Sequence, residues 1–248
     1  MTGVPVAKIV VLNSNAHLRL RVNAGVSLEL GDNQRFVPVV ISEFPALVLH
    51  YPILFSKDAD TGQFYCGVML GFDPGENLFL DAQRDDGLYR PLNFRREAFY
   101  TADDNLAVDL DHPRVGATGD QPLFDEAGQP SPYLQSVMAV LRELKPGLAQ
   151  TQVFARTLLD LKLIEQVTIK AHFDDCSRRE VNGLYTVSHD ALADLEGGAV
   201  VDLFRRGYLQ LIHLQRASLG HVATLAQRRN KALLVQGMNQ GARRPANA

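Results

Sequence analysis

The chain of 248 residues contains no tryptophan and only two cysteines, Cys66 and Cys176. Two cysteines cannot build a disulfide framework, and neither stands in the C-x-x-C spacing that is typical of metal sites. Cys66 lies within an apolar run, where a thiol behaves as a small buried hydrophobic group. These features indicate a protein of a reducing compartment.

Long apolar runs are also missing. No run approaches the roughly 18 residues that a membrane-spanning helix needs. At the N-terminus, no basic region precedes the apolar residues of M-T-G-V-P-V-A-K-I-V-V-L, and Lys8 interrupts them, so a cleaved signal peptide is not indicated. We therefore expect a soluble, cytoplasmic protein without a membrane span. Export to the cell surface by a route that uses no cleaved signal stays open.

Neither sign of charge dominates, since 25 Lys and Arg against 28 Asp and Glu give a net charge of −3. Proteins that bind nucleic acid usually carry a basic field, so we expect no nucleic-acid partner. The one locally basic stretch follows Gln227 and begins with Arg228 and Arg229. Its Gly, Asn, Pro and Ala content predicts a solvated end, with a flexible basic tail over residues 231–248.

Complete catalytic motifs are missing as well. The sequence contains no G-x-S-x-G elbow, P-loop or G-x-G-x-x-G fingerprint, so it does not indicate a hydrolase, a P-loop enzyme or a dinucleotide-binding enzyme. The paired aspartates Asp58/Asp60 and Asp85/Asp86 lack the full ligand spacing of a calcium loop. The sequence therefore predicts no catalytic residue, no metal and no other cofactor.

One partial metal motif sets up an alternative. His172 and Asp174 form an H-x-D, which supplies two ligands of the facial triad of non-haem iron oxygenases. A third ligand would have to come from His189, His213 or His221. The alternative function is thus a metal-dependent oxygenase acting on a protein or peptide. We prefer the simpler interpretation, a histidine at a strand end beside a solvated turn.

Hydrophobic periodicity predicts a β-rich first half over residues 1–111. Ser42 begins a short helical segment that ends before Pro52. Alternating or continuous apolar runs predict strands at 6–12, 17–22, 26–30, 36–41, 64–72, 78–81, 89–100 and 106–110.

The second half changes period after an irregular connector over residues 112–131. Residues 132–230 are predicted to be mostly helical: one helix begins at Ser131, K-P-G at 145–147 ends it, and a second helix over 151–163 completes a helical hairpin. Two strands, 167–173 and 183–187, predict a small β-hairpin, and a last helical stretch covers 199–229. This order predicts an α+β fold with an antiparallel or mixed sheet in the first half.

Several short blocks resemble the SapC-like family of bacterial proteins when they are taken in order. The first are Glu43 after an apolar strand, Y-P-I at 51–53, G-x-x-L-G at 67–71 and E-N-L-F at 76–79. A Y-x-P…R-R-x-x-F block follows at 89–99, and G-L-Y-T-V and R-G-Y-L come later, at 183–187 and 206–209. One departure is visible, because the family commonly has a tryptophan between the E-N-L-F and Y-x-P blocks.

The resemblance covers roughly residues 5–230 and implies a single SapC-like α+β domain over residues 1–230. The family has no established biochemical activity, and its name associates it with surface-layer systems. Many members are labelled peptide transporter permeases. A permease needs several apolar spans, which this sequence does not contain.

Five residues are candidates for contacts with a ligand or partner. Paired guanidiniums such as Arg95 and Arg96 can clamp a carboxylate or phosphate. Glu43, His50 and Tyr51 are polar groups in an apolar context, where they need partners, so they can line a pocket with the arginines. The competing interpretation is a satisfied core network, with one arginine paired to an acidic side chain inside the fold.

These observations predict a non-catalytic accessory or binding protein. It would act through contacts with a protein or a small ligand, in an envelope or surface-layer context, and its partner would be an envelope or surface-layer protein. The apolar residues of the last helix cover more than a narrow stripe, which also predicts a homodimer through the C-terminal helix.

Overall fold

The fold was obtained as a computed structural model that describes residues 8–81, 87–103 and 105–242, with side chains to residue 235. The predicted turn aspartates Asp85 and Asp86 lie outside the described residues, as does the end of the predicted tail. Within the described ranges, no helix combines the length and apolar character that crossing a bilayer requires.

Within the described residues, the secondary structure combines many short elements with two long helices of 29 and 22 residues. The strands are β1 (Ile9–Val11), β2 (Arg21–Val22), β3 (Phe36–Pro38), β4 (Ile53–Lys57), β5 (Phe64–Met69), β6 (Phe99–Ala102), β7 (Asn105–Asp109), β8 (Val115–Gly116), β9 (Gln121–Pro122), β10 (Ile164–His172) and β11 (Arg178–Val187). The helices are α1 (Ser14–His17), α2 (Phe44–Leu47), α3 (Leu92–Arg95), α4 (Pro132–Asp160), α5 (His189–Ala193), α6 (Gly197–Arg205), α7 (Tyr208–Ser218) and α8 (His221–Ala242).

The described strands form antiparallel sheets. The largest has five strands in the order β10-β11-β4-β5-β3, and two smaller sheets have the orders β1-β7-β6 and β8-β2-β9. The hairpin β10–β11 belongs to the large sheet, because Leu184 pairs with Ser56 and Tyr185 with Phe55. The α+β class is confirmed. The predicted order, a sheet in the first half and helices in the second, holds only in part, because the second half supplies two long strands of the main sheet.

Helix α4 packs against two sheets at once. Near its C-terminal end, the Phe154 ring lies 6.3 Å from the rings of both Phe44 and Phe55 in the main core. Near its N-terminal end, Leu134 and Val137 join the separate core of the small β1-β7-β6 sheet. The middle of α4 packs between these two cores on a third, small cluster, in which Val140 and Leu144 contact Val40 and Leu92.

The predicted break in α4 at K-P-G is wrong, since the helix continues through Pro146. Proline removes one backbone hydrogen bond from a helix interior, so other contacts must stabilise this turn. Gly147 allows Val40 to pack closely, because a Cβ there would lie 3.0 Å from the Val40 side chain. The Thr151 hydroxyl donates to the Gly147 carbonyl (2.7 Å) and accepts the Ile41 N–H (3.0 Å). Tertiary contacts thus hold the helix continuous.

Several predicted strands are shorter than expected or absent. Only Arg21–Val22 of the 17–22 segment is a strand, and Leu28–Leu30 is a 3-10 turn. The predicted strand over 89–100 divides, because Pro91 precedes the short helix α3 and the strand β6 begins only at Phe99. Pro91 is the N-cap residue of α3, where its missing N–H interrupts no helical hydrogen bond.

The last helix extends into the predicted tail, because α8 runs to Ala242. The prediction that Arg228 and Arg229 are solvated is wrong. Arg229 pairs with Glu76 and with Asp73 (2.9 Å), and the Arg228 guanidinium lies 4.5 Å from the centre of the Phe79 ring. These contacts attach α8 to the body of the protein.

Candidate functional site

Glu43, the first candidate residue, is buried and fully hydrogen-bonded. Its Oε1 accepts the Leu92 N–H (2.7 Å) and the Tyr89 hydroxyl (3.2 Å), and its Oε2 accepts the Val40 N–H (2.9 Å). Burial raises the pKa of the Glu43 carboxyl, and these hydrogen bonds partly oppose that rise. Because the carboxylate caps both its own turn and the start of α3, Glu43 joins two segments of the fold.

Tyr51 and His50 lie behind this carboxylate. The buried Tyr51 hydroxyl donates to the Tyr89 carbonyl (2.8 Å), and its ring lies 4.6 Å from the Phe79 ring. His50 is half-buried, and its ring lies nearly perpendicular to the Tyr51 ring at 6.2 Å between centres. Burial, then the charges of His221 and Arg228, lower the pKa of His50. The structure thus brings Glu43 and Tyr51 together through Tyr89 and leaves His50 on the outside.

The paired arginines separate onto different sides of α3. Arg95 is exposed near Tyr89, where its charge partly opposes the rise that burial causes in the pKa of that phenol. Arg96 donates from Nε to Asn93 (2.8 Å) and from Nη1 to the Phe99 carbonyl (3.0 Å). Its guanidinium also lies 4.4 Å from the centre of the Tyr100 ring. Among the described residues, no hydrogen-bond partner is found for the Arg96 Nη2.

Arg96 faces a cavity of about 650 Å³, which we call the Arg96 groove. This volume lies within the range of small-molecule sites. One wall comes from α3 and β6 with the loop after it, and the other comes from the middle of α4. The lining residues are Asn93, Arg96, Tyr100, Thr101 and Asp103 on the first wall, and Leu141, Leu144, Lys145 and Leu148 on the second.

The groove has an uneven charge distribution. Arg96 and Lys145 place positive charge in its lining, and Asp103 places a carboxylate in the loop after β6. On the α4 wall, Leu144 is buried while Leu148 is 49% exposed, so this wall offers apolar surface to an occupant. A guanidinium beside such a wall suits a carboxylate that carries an apolar group.

The sequence identified Arg96 but not the opposite wall. Leu141, Leu144 and Leu148 follow helical spacing, which is the signal that could have found this wall. The spacing runs across Pro146, and a helix that ends at K-P-G cannot present all three side chains on one face. The wrong break in α4 therefore concealed the groove.

A buried ionic network behind the groove was also missed. Asp32 pairs with Arg90 (2.8 Å) and with Arg114 (2.6 Å), while Glu97 lies 3.5 Å from Arg90 and accepts a hydrogen bond from the Tyr133 hydroxyl. Burial raises the pKa of Glu97, and the Tyr133 hydrogen bond opposes that rise. Thus Arg90, rather than Arg95 or Arg96, lies against Glu97. The network connects four separate segments and, through Arg90 and Glu97, includes the residues on both sides of α3.

The H-x-D motif gains no support as a metal site. His172 ends β10 as an exposed residue, and the Asp174 N–H donates to the Asn230 side chain (3.2 Å). Within the part of the chain that the structure describes, no three His, Cys, Asp or Glu side chains gather as a metal site requires. Nothing in the structure favours the oxygenase alternative.

The fold and the groove together define an α+β protein with an open groove lined by cationic and apolar side chains. The SapC family model matches residues 12–225, well over half of the chain, so the protein belongs to the SapC family. Neither the curated proteins nor the solved structures that were searched gave a match.

Proposed function

We propose that this SapC family protein is a non-catalytic accessory protein that acts by binding, and that the Arg96 groove is its binding site. The observation that carries the proposal is the Arg96 guanidinium, held with Nη2 available beside the leucines of α4. The ligand class that fits is a carboxylate attached to an apolar group.

The position of the guanidinium supports this proposal. Asn93 and the Phe99 carbonyl each take one donor of Arg96, and Tyr100 lies against its face. These contacts restrict the side chain before any ligand arrives. A binding group that is ordered in advance loses less conformational entropy on binding.

The wall of α4 supports the apolar half of the ligand. Leu148 is half exposed, and Leu144 lies beneath it in contact with the core. Covering such surface contributes about 25 cal/mol per Å² of apolar area removed from water. A ligand that reaches from Arg96 to Leu148 thus combines a charge-assisted hydrogen bond with apolar burial.

The proposal is tested by titrating the protein with decanoate, a ten-carbon carboxylate. Decanoate should raise the melting temperature of the unaltered protein by mass action. Arg96→Gln should weaken decanoate binding by roughly tenfold or more, because a hydrogen bond to a charged group is lost. Arg95→Gln is the matched control, since Arg95 is exposed outside the groove, and its affinity should not change.

Two results would contradict the assignment. One is equal affinity of decanoate for the Arg95→Gln and Arg96→Gln variants. The other is equally tight binding of decyltrimethylammonium, which has the same chain and the opposite charge. Circular dichroism of each variant checks that the fold is retained.

The cellular part of the proposal is that the partner belongs to the cell envelope or surface layer. A cytoplasmic location, or export without a cleaved signal, belongs to the same proposal. A tagged pull-down from cytosolic and envelope fractions tests it, with Arg96→Gln as the comparison. Recovery of envelope proteins that Arg96→Gln loses would support the proposal, whereas recovery of cytosolic proteins alone would refute the envelope link.

Homodimerisation through the C-terminal helix also stays a prediction. Leu234 and Val235 on α8 are 64% and 52% exposed, which leaves apolar surface for a second copy. Light scattering at micromolar concentration should give twice the monomer mass. A monomer mass would contradict the prediction.

A further inference from the structure

The strand β6 presents an open backbone edge to the Arg96 groove. Among the described residues, β6 is the outer strand of the β1-β7-β6 sheet. The Asp109 N–H donates to the carbonyl of Ala98, which directly precedes β6. Since backbone groups alternate in direction along a strand, Tyr100 and Ala102 bond to β7. Phe99 and Thr101 therefore direct their N–H and C=O groups away from the sheet.

Of these two residues, Thr101 alone has outward groups without a hydrogen-bond partner in the described part of the chain. The Phe99 N–H donates to the Arg96 carbonyl (3.0 Å), and the Phe99 carbonyl accepts the Arg96 Nη1 (3.0 Å). Thr101 is exposed and lines the groove, and none of the described residues bonds to its outward N–H or C=O. The backbone groups of Thr101 thus form the open part of the edge, and the Arg96 side chain covers the edge at Phe99.

We propose that the Arg96 groove binds the C-terminus of an extended peptide, which adds a strand to β6. This inference rests on the proposed function, which assigns the groove as the binding site. The peptide exchanges two backbone hydrogen bonds with Thr101, as in other cases of strand addition. Alternate side chains of an extended peptide point to opposite faces, so every second one lies against Leu144 and Leu148.

The position of Arg96 explains why a chain end is bound. A strand advances about 3.3 Å per residue, so a peptide paired with Thr101 reaches the level of Phe99 about two residues later. There the Arg96 guanidinium occupies the edge and blocks further pairing. A terminal carboxylate at this point receives the Arg96 Nη2, whereas a continuing chain meets the side chain.

The charges of the groove fix the direction of the peptide. Its carboxylate lies at Arg96, which precedes β6, so its earlier residues lie toward Asp103, which follows β6. The peptide therefore runs antiparallel to β6. The Asp103 carboxylate favours a Lys or Arg a few residues before the peptide's end.

The test uses an array of hexapeptides immobilised through their N-termini. Each ends in Leu, Val, Ile or Phe, varies at the preceding positions, and is printed both with a free carboxylate and as the C-terminal amide. The protein should bind a subset of the acids, enriched in Lys or Arg upstream. Binding to the matching amides should be weaker by roughly tenfold or more, because the charged acceptor is lost.

Thr101→Pro isolates the backbone contribution. Proline is tolerated on an outer strand whose N–H points outward, and it removes only that donor. Peptide affinity should fall by roughly tenfold, as expected for one lost hydrogen bond and a bulkier edge. Thr101→Val keeps the N–H, so its affinity for the peptide should be at least about threefold higher than that of Thr101→Pro. Arg95→Gln should bind the peptides as the unaltered protein does.

The outcomes separate this inference from the function on which it rests. Binding of decanoate without binding of any peptide acid would overturn the peptide inference and leave the groove assignment intact. Failure of both would overturn both. Equal binding of acids and amides, or unchanged peptide affinity in a folded Thr101→Pro variant, would also overturn the inference. The comparison of acids with amides needs no variant, so it decides even if Thr101→Pro does not fold.

Discussion

Replacing Arg114 with methionine should destabilise the protein strongly, because the buried guanidinium makes three hydrogen bonds within the fold. Its side chain is 2% exposed and donates from Nη2 to Asp32 (2.6 Å). The same guanidinium donates from Nη1 to the carbonyls of Asn23 (2.9 Å) and Gly25 (2.5 Å). Methionine fills a similar length but offers none of these donors.

The expected magnitude follows from what remains unpaired. Breaking a buried ion pair by removing one partner costs about 3–5 kcal/mol. Asp32 keeps Arg90 at 2.8 Å and the Ser27 N–H at 2.9 Å, which places its cost near the lower end. Two carbonyls that lose their donor add about 1 kcal/mol each. We expect Arg114→Met to lower the free energy of unfolding by about 5 kcal/mol, a large share of the usual 5–15 kcal/mol.

Urea unfolding followed by far-UV circular dichroism measures this change. The matched control is Arg156→Met on α4, where the Arg156–Asp160 pair at 3.0 Å is exposed on both sides. Exposed pairs of this spacing contribute about 0.3–0.5 kcal/mol, so the control should change little. A loss below about 1 kcal/mol for Arg114→Met would refute the account of a buried, desolvated network.

Three further predictions concern the parts that position the groove. Gly67→Ala should destabilise by about 1–3 kcal/mol, because its Cβ would overlap the Phe36 ring that lies over β5. Thr151→Val should cost about 1–3 kcal/mol, because the buried Ile41 N–H loses its acceptor. The pKa of Glu43 is raised, so the folded state binds the carboxyl proton more tightly than the unfolded state does. The protonated Glu43 therefore contributes stability below the ordinary pKa of 4.5, and this contribution is lost as the pH rises through the raised pKa. Glu43→Gln should therefore flatten the stability profile above pH 4.5.

The glycine and threonine predictions each have a matched control variant. Gly198→Ala places a methyl group in open space within α6 and should be neutral or slightly stabilising. Thr157→Val removes a second hydroxyl from α4 at a more exposed position and should change stability by less than about 0.5 kcal/mol. The pKa of Glu97 is raised as well. Glu43→Gln should therefore reduce the slope of stability against pH without removing it. An unchanged slope, or equal losses in the two threonine variants, would contradict the reasoning.

The sequence predicted the class of the fold and both halves of α4, because amphipathic spacing is a local signal. It could not predict that α4 is continuous, since this depends on Val40 packing at Gly147 and on the contact between Thr151 and Ile41. Those partners lie over a hundred positions away in the chain. Local proline chemistry predicted a break, and tertiary contacts prevented it.

The candidate site was predicted in part for a similar reason. Arg95 and Arg96 were treated as a pair on a strand, but α3 turns successive side chains onto different sides, so Arg96 alone lines the groove. Glu43 was correctly singled out as a buried polar group that needs partners, and those partners are Leu92, Tyr89 and Val40. The groove itself is not encoded in any local pattern, because its walls come from α3 and β6 on one side and α4 on the other.

The pairing of β4 with β11 affects how the chain folds during its synthesis. During synthesis, one edge of β4 stays without its partner until Leu184 and Tyr185 have emerged, on the order of 130 residues after Phe55 and Ser56. At about 5–20 residues per second, that interval lasts roughly 6 to 26 seconds. Through this interval the nascent chain exposes an apolar strand with an open backbone edge, which is an aggregation hazard. A ribosome-associated chaperone that covers residues 53–57 should therefore improve the yield of folded protein more than one that acts after release.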